Sequence, residues 1–439
     1  MPQAALPGFR DFYPQELAER DHLMRIWRDV ARRFAFVEFD GPPLEPLELY
    51  TKKSGEEIVA QLYNFVDKGG REVALRPEMT PTFARMVGAK VQSLRKPVRW
   101  FSVPQLFRYE RQQKGRLREH FQLNVDIVGE ADVTADAELL AVAIAVVQQC
   151  GLTERDVVAR ISDRRLLNVF LAALGPPQIQ EAAYATLDKL RRESRTTLQG
   201  RLADAGVADD VAREILSLGE LSTIADLREW AAAHGCTTAA EEHVARLERY
   251  LALLEAHGAA GWVTLDLSIV RGLAYYTGIV FELFDRAARF RAICGGGRYD
   301  TLLAALGGDD LPALGFGMGD VVLLEILRAH DLISVTPLEL DYWIATEDSD
   351  LFSDVVRVAT ALRRSGSNVE YSLRRQPLAR QLRTASSAGA RAVVILRRDR
   401  WPAGRLVVKR MDDGSETEQS LDELVAGAGR TPGSETENQ

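Results

Sequence analysis

The chain has little cysteine. Its three thiols, Cys150, Cys236 and Cys294, are spread over 439 residues with no Cys-x-x-Cys spacing and no Cys/His pairing. That pattern argues against a disulfide framework and a structural zinc site, so reduced thiols and no metal site are expected. Long apolar runs are also lacking: no stretch approaches the roughly 18 apolar residues of a membrane span. Arg10 and Asp11 interrupt the start where a signal peptide would carry its apolar core. A cytoplasmic chain without membrane attachment is the expectation. Net positive charge is missing, with 55 Lys and Arg against 63 Asp and Glu, which excludes the uniformly cationic coat of a nucleic-acid packaging protein. Proline is absent between Pro177 and Pro312. Residues 179–257, rich in Ala, Leu, Glu and Arg, therefore predict an all-helical insertion.

What is present is ordinary soluble composition, 46% apolar and 27% charged, long enough for two or three domains. Positive charge is local. Arg95 to Arg118 holds eight basic residues and one acid, Glu110; Arg357 to Arg410 holds fourteen and two acids, Glu370 and Asp399. Solvated helix faces are the plain reading of such windows. Two of them in different parts of one chain suit a polyanion that bridges both.

Periodicity divides the chain further. Residues 16–34 have the spacing of an amphipathic helix. Strand-like runs at 73–75, 98–107 and 121–128, joined by polar or Gly-containing turns rather than crossover helices, predict an antiparallel sheet. Strands resume after the insertion at 262–267, 279–284 and 291–294, and a helix follows Gly319. From Leu338 strands alternate with helices of a dozen residues (342–345 strand, 353–365 helix, 369–371 strand, 378–389 helix, 392–396 strand), which predicts a separate α/β domain on a parallel or mixed sheet. The expected division is 1–174 and 259–332 for one interrupted domain, 175–258 for the insertion, 338–425 for the C-terminal domain, and a disordered polar tail at 430–439.

The chemistry concentrates between Arg108 and Asp126. Arg108 and Glu110 lie two apart on a presumed strand and so share a face. Arginine binds phosphate bidentately and keeps its charge, which suits a group facing a reacting phosphate. Lys114, Arg116 and Arg118 around Gly115 make a cationic loop able to close over a triphosphate or an RNA end. Gln122 and Asp126, four apart on the next strand, again share a face and suit an ammonium and a donor ring. Gly295, Gly296 and Gly297 are read as close backbone approach or a tight turn, not as a phosphate loop.

The segment LFRYERQQKGRLREHFQLNVD resembles the second signature of class II aminoacyl-tRNA synthetases, specifically the histidyl-tRNA synthetase family. GFRDFYP (8–14), LRPEMTPTFAR (75–85), DLSIVRGLAYYTGIVFE (266–282) and CGGGRYD (294–300) are similar to further segments of that family, in the same order. The resemblance implies an α+β catalytic domain, a mostly antiparallel sheet flanked by helices, with a helical insertion and a C-terminal α/β anticodon-binding domain. It implies ATP-dependent activation of L-histidine, with Mg2+, and transfer to tRNA(His) by a homodimer whose interface includes the region around Pro43. It further implies that Glu78, Thr80 and Gln122 hold the α-ammonium, and that Asp126 and Tyr276 bond the imidazole, with Tyr275 and Tyr299 beside them. Arg108 and Arg271 are implied as the catalytic cations, and Arg108, Glu110, Arg116, Arg118 and His120 as the ATP contacts. Arg374, Arg375, Arg380 and Arg383, in the similarity over 369–396, are the expected tRNA-binding residues.

Three positions depart from the family pattern. Val322 stands where the third signature carries an arginine, His120 where an aromatic stacks on adenine, and Ala274 where an aspartate is frequent. Loss of that guanidinium leaves Arg116, Arg118 or Arg291 to supply a cation. It also keeps an alternative in view: a non-catalytic histidine-binding paralogue like the regulatory subunit of ATP phosphoribosyltransferase.

Overall fold

The computed structural model describes residues 5–51, 61–109, 115, 117–270, 276–305 and 308–428. The expected tail, 430–439, lies outside them. Two compact units are separable, Met1–Val335 and Thr336–Gln439.

The strands, in chain order, are β1 (Val37–Glu38), β2 (Leu44–Pro46), β3 (Asn64–Val66), β4 (Glu72–Leu75), β5 (Val98–Ser102), β6 (Gln105–Phe107), β7 (Glu119–Val128), β8 (Val157–Asp163), β9 (Val263–Leu265), β10 (Ile279–Asp285), β11 (Cys294–Arg298), β12 (Ala313–Gly319), β13 (Tyr342–Thr346), β14 (Val369–Tyr371), β15 (Ala392–Leu396), β16 (Arg405–Arg410) and β17 (Glu416–Ser420). In the first unit β1-β5-β7-β12-β11-β10-β8-β9 form one sheet, with β6 also on β7. Its inner pairs are antiparallel and its two ends, β1 on β5 and β8 on β9, are parallel. The predicted antiparallel sheet is therefore mixed only at its margins. A small antiparallel sheet, β2-β4-β3, stands apart.

Alternation on these strands assigns their faces. Leu123, Val125 and Ile127 of β7, with Phe281 and Leu283 of β10, enter one apolar core with the helices Pro14–Arg33 and Val133–Gln149. The second of these is apolar nearly all round, which suits a helix enclosed on every side. Asp132 caps its start by accepting from the Thr134 amide at 2.9 Å. Leu187, Leu202, Leu216, Leu247 and Leu254 belong to the same core, so the helices of the insertion share it with the sheet. The opposite face of β7 presents Gln122, Asn124 and Asp126.

Sequence and structure part at the glycines. The expected strand at 291–294 is displaced to β11, which contains Gly295, Gly296 and Gly297 themselves. A Cβ on Gly296 would lie 2.4 Å from the Gly315 carbonyl oxygen of β12; glycine here permits strands to approach, in an element that local propensity disfavours. The expected run 98–107 is likewise split. β5 pairs with Asn124–Val128 and β6 with Glu119–Phe121, on either side of Val103 and Pro104.

In the second unit β14-β13-β15 are parallel and β15-β16-β17 antiparallel. Ile344 and Val394 pack on one side with the helix Phe352–Arg364, while Trp343 and Val393 pack on the other with Ala385 of the helix Leu378–Ser387. Two apolar faces explain the continuous run Ala392–Leu396. β16 and β17, unread in the sequence, complete this sheet.

Candidate active site

Two glycine gaps on β12 make room for the site's polar floor. Asp126 faces Gly315 across the β7–β12 pairing, and a Cβ there would sit 2.1 Å from Asp126 Oδ1. A Cβ on Gly317 would sit 2.7 Å from Gln122 Cδ. The sequence signal was available, because Gly315, Gly317 and Gly319 recur at the strand period, so all three vacate one face.

Asp126 is buried, 3% exposed, and the Tyr299 hydroxyl donates to its Oδ1. Burial pushes its carboxyl up to about 7, partly countered by that hydrogen bond. The group is thus poised to ionise when a donor ring or cation arrives. Tyr276 and Trp100 pack against the apolar cluster that contains Tyr299 and Phe83. Glu78, just before the helix that Thr80 begins, also has its carboxyl raised by burial, with Arg108 opposing the shift. Arg108 Nε donates to the Pro77 carbonyl oxygen at 2.9 Å, which brings the phosphate-type cation beside the ammonium-type anion. Strand β6 ends at Phe107, so Arg108 follows the strand instead of lying on it as expected. Glu110, Lys114, Arg116, Arg271 and Tyr275 lie outside the described residues.

An open cleft of about 920 Å3 adjoins this floor, lined by Arg108, His120, Gln122, Gly115 and Val322 among others. Arg118 does not line it; its guanidinium lies 4.2 Å from the centroid of the Tyr109 ring, and its amide donates to the Gly8 carbonyl oxygen. Arg291 lines the cleft beside Val322: a Cβ on Gly115 would lie 3.4 Å from Val322 Cγ2 and 3.7 Å from Arg291 Cδ. Sequence reasoning missed Arg160, Arg191, Arg192 and Glu282, which also line the cleft. Arg160 and Glu282 are cross-strand neighbours. Arg191 comes from the insertion and pairs with the buried Asp266 at 2.7 Å; no local pattern distinguishes it from the surface arginines around it.

Arg10 was equally illegible as a structural residue. It bridges Glu119 at 2.6 Å and Asp320 at 2.9 Å, and Asp320 accepts from the Phe121 amide at 3.0 Å. This ties residues 8–10 to the base of the cationic loop and to the helix Asp320–Ala329 that carries Val322.

In the second unit a cavity is lined by Phe352, Leu373, Arg374, Arg375, Gln376 and Asp348, among others. Arg374, Arg375, Arg380 and Arg383 form no ion pair with a described residue. Most of the window's other cations do, among them Arg391 with Asp341, Arg398 with Asp348, and Lys409 with Glu416.

The histidyl-tRNA synthetase family model matches residues 8–320, and the anticodon-binding domain model matches 335–428. The chain is 44% identical over 432 residues to histidine–tRNA ligase of Opitutus terrae, covering 96% of this chain and 97% of that protein. It is 39% identical to the chloroplastic/mitochondrial histidine–tRNA ligase of Arabidopsis thaliana, covering 95% of this chain and 85% of that one. In fold it is similar to the crystal structure of histidyl-tRNA synthetase from Nostoc sp. PCC 7120, with TM-score 0.84, 22% identity and coverage of 98% and 99%. With a family model spanning most of its length and relatives of this identity over nearly all of it, the chain belongs to the histidyl-tRNA synthetase family.

Proposed function

We propose that the chain activates L-histidine with ATP and transfers it to tRNA(His). The observation that carries this reading is the Asp126–Tyr299 pair, a buried carboxyl held by a phenol on the same strand face as Gln122, beside an arginine-lined cleft. The imidazole N–H donates to Asp126, and Tyr276 bonds the other ring nitrogen, so an apolar amino acid of similar size would leave buried polar groups unpaired. Glu78, Thr80 and Gln122 take the α-ammonium.

The histidine carboxylate attacks the α-phosphorus, pyrophosphate leaves, and the negative charge that builds at phosphorus is met by Arg108 and Arg271. The terminal ribose hydroxyl of the tRNA then attacks the acyl carbon and AMP departs. No covalent enzyme intermediate is required. His120 offers a flat face to adenine, with Arg116 and Arg118 serving the phosphates. Magnesium would be carried mainly by the outer phosphates.

Arg374, Arg375, Arg380 and Arg383 contact the tRNA backbone, a role favoured by the lack of an acidic partner for them among the described residues. The C-terminal domain and the arginine-lined cleft together favour a ligase over a histidine-binding regulator. A homodimer in the cytoplasm completes the proposal. Leu44, Phe65 and Val66 of the small sheet are 37%, 52% and 64% exposed, next to Pro43, and such a patch suits an interface. No described helix is long and apolar enough to cross a membrane.

The test is histidine-dependent exchange of labelled pyrophosphate into ATP. Absence of exchange from folded protein overturns the ligase, and retained histidine binding in that case supports the regulator. For the dimer, sedimentation of Phe65→Glu is expected to give monomer where the parent chain gives dimer.

A further inference from the structure

The helix that starts at Arg164 reaches both flanks of residues 271–275 with its first two side chains. Arg164 Nη1 donates to the Val270 carbonyl oxygen at 3.1 Å, and Arg165 Nε donates to the Thr277 carbonyl oxygen at 3.0 Å. These carbonyls sit on the last described residue before the segment and on the residue after Tyr276. Arg165 makes a second contact, Nη2 to Asp300 Oδ2 at 2.8 Å. Asp300 in turn accepts from Thr277 Oγ1 at 3.2 Å and donates its amide back to that oxygen at 3.0 Å. The Thr277 amide donates to the Arg298 carbonyl oxygen at 2.7 Å. Arg298 and Asp300 are the two neighbours of Tyr299, so one network fixes the residue after Tyr276 to both residues around Tyr299.

The base of this arrangement is itself held. Asp163 is fully buried and caps the helix, accepting from the Arg165 amide at 2.8 Å. Its other oxygen accepts from Arg246 Nε at 3.1 Å, in the insertion helix Thr237–Ala256. Arg298 is locked behind by Asp136, Nε to Oδ1 at 3.1 Å, with both side chains at 5% exposure or less.

We propose that Arg164 and Arg165 are positioning residues: they clamp Val270 and Thr277, and so set the register of Tyr276 against the Asp126–Tyr299 pair. The clamp rests on the histidine pocket proposed above. Two adjacent guanidinium groups on a capped helix define two fixed points, at Val270 and Thr277, which flexible lysines would not. The insertion then has a role at the pocket without touching the amino acid, through Arg246 and Asp163. Misplacement of a substrate-binding group by an ångström is the expected lesion, and its signature is selective.

The test uses the full chain in the pyrophosphate exchange assay, with Arg165→Ala, Arg165→Lys and Thr277→Val. Arg165 is 41% exposed at its side chain, and Thr277→Val removes the bonds to Asp300 while leaving the arginine in place. For both Arg165→Ala and Thr277→Val the KM for histidine is expected to rise roughly tenfold while the KM for ATP stays within about twofold. Arg165→Lys, able to reach one acceptor but not both, should fall between. A histidine KM within about twofold of the parent in folded protein, or equal rises in both KM values, overturns the clamp. Tyr276→Phe, measured alongside, separates the two ideas. An unchanged histidine KM there overturns the pocket itself, whereas an effect there with none in Arg165→Ala and Thr277→Val overturns the clamp alone.

Discussion

The two arginine-rich regions of this chain differ in what surrounds their guanidinium groups. Around the cleft the cations are placed: Arg108 is held by a backbone carbonyl and Arg191 by the buried Asp266. In the C-terminal unit the cations are many and largely cancelled, by acids that lie outside the basic window or at its turns. Arg391 pairs with Glu339 and Asp341, Arg400 with Glu418, Arg410 with Asp412. Counting positive charge therefore overstates the second region. A bound anion feels the uncancelled charge, and it feels it more where water is excluded.

Removing the placed cation should break the comparison most sharply. Arg108→Ala is expected to lower pyrophosphate exchange by about 100-fold or more, since it removes a fixed charge from the reacting phosphate. It also leaves the Glu78 carboxyl without its cationic neighbour. A loss under about tenfold would put Arg108 in the same class as the exposed arginines of the other unit.

The acid at the pocket gives a pH test of the same contrast. Asp126 has a folded-state pKa near 7, above its usual 3.8. The folded state thus binds a proton that the unfolded state releases. The stability from this group is fully present below about pH 4 and is lost as the pH rises through about 7 in the ligand-free protein. Histidine binding should run the other way, tightening from pH 6 to 8 as the carboxylate forms and accepts the imidazole N–H. Tyr299→Phe removes the bond that favours the ionised form, so the midpoint of the binding profile should move up. Titration calorimetry across pH decides this, and a midpoint that stays put or falls would refute the assignment.

A smaller effect is expected from the C-terminal unit, and on one reaction only. Arg374→Ala with Arg375→Ala should raise the KM for tRNA roughly tenfold in aminoacylation and leave pyrophosphate exchange unaltered. The least effect is expected from Arg391→Ala, whose exposed pairs with Glu339 and Asp341 are each worth about 0–1 kcal/mol. Charging within about twofold of the parent, and a melting temperature within a few degrees, would place it among the cancelled cations.

Most elements were legible because their signals are local. The helices at 14–33, 352–364 and 378–387 follow from apolar spacing, and the Pro-free insertion is helical at 178–187, 195–204, 209–217, 224–233 and 237–256. Strand β11 was not legible as such. Three glycines read as close backbone approach or a tight turn; the close approach is there, but only the neighbouring β10 and β12 make it an extended strand. The interior strand β16 and the edge strand β17, both rich in charge, gave no clean alternation. The shared face of Gln122 and Asp126 was legible because strand period is a local property, while Arg191 and Arg165 were not singled out because their partners are 75 and 135 residues away.

By itself the sequence determined the residue types that chemistry needs and their order on each element: a carboxylate and an amide on one strand face, an arginine earlier in the same segment, glycines at the strand period near residue 317, and a family resemblance that orders these pieces. Tertiary structure decided which charges survive. Burial raises Asp126, remote acids silence the surface arginines, and Arg164 and Arg165 meet Val270 and Thr277 across more than a hundred residues. The reason is one of range. Hydrophobic and conformational preferences repeat within a turn or a pleat, whereas a group's solvation and electrostatic partners depend on whatever the folded chain brings against it.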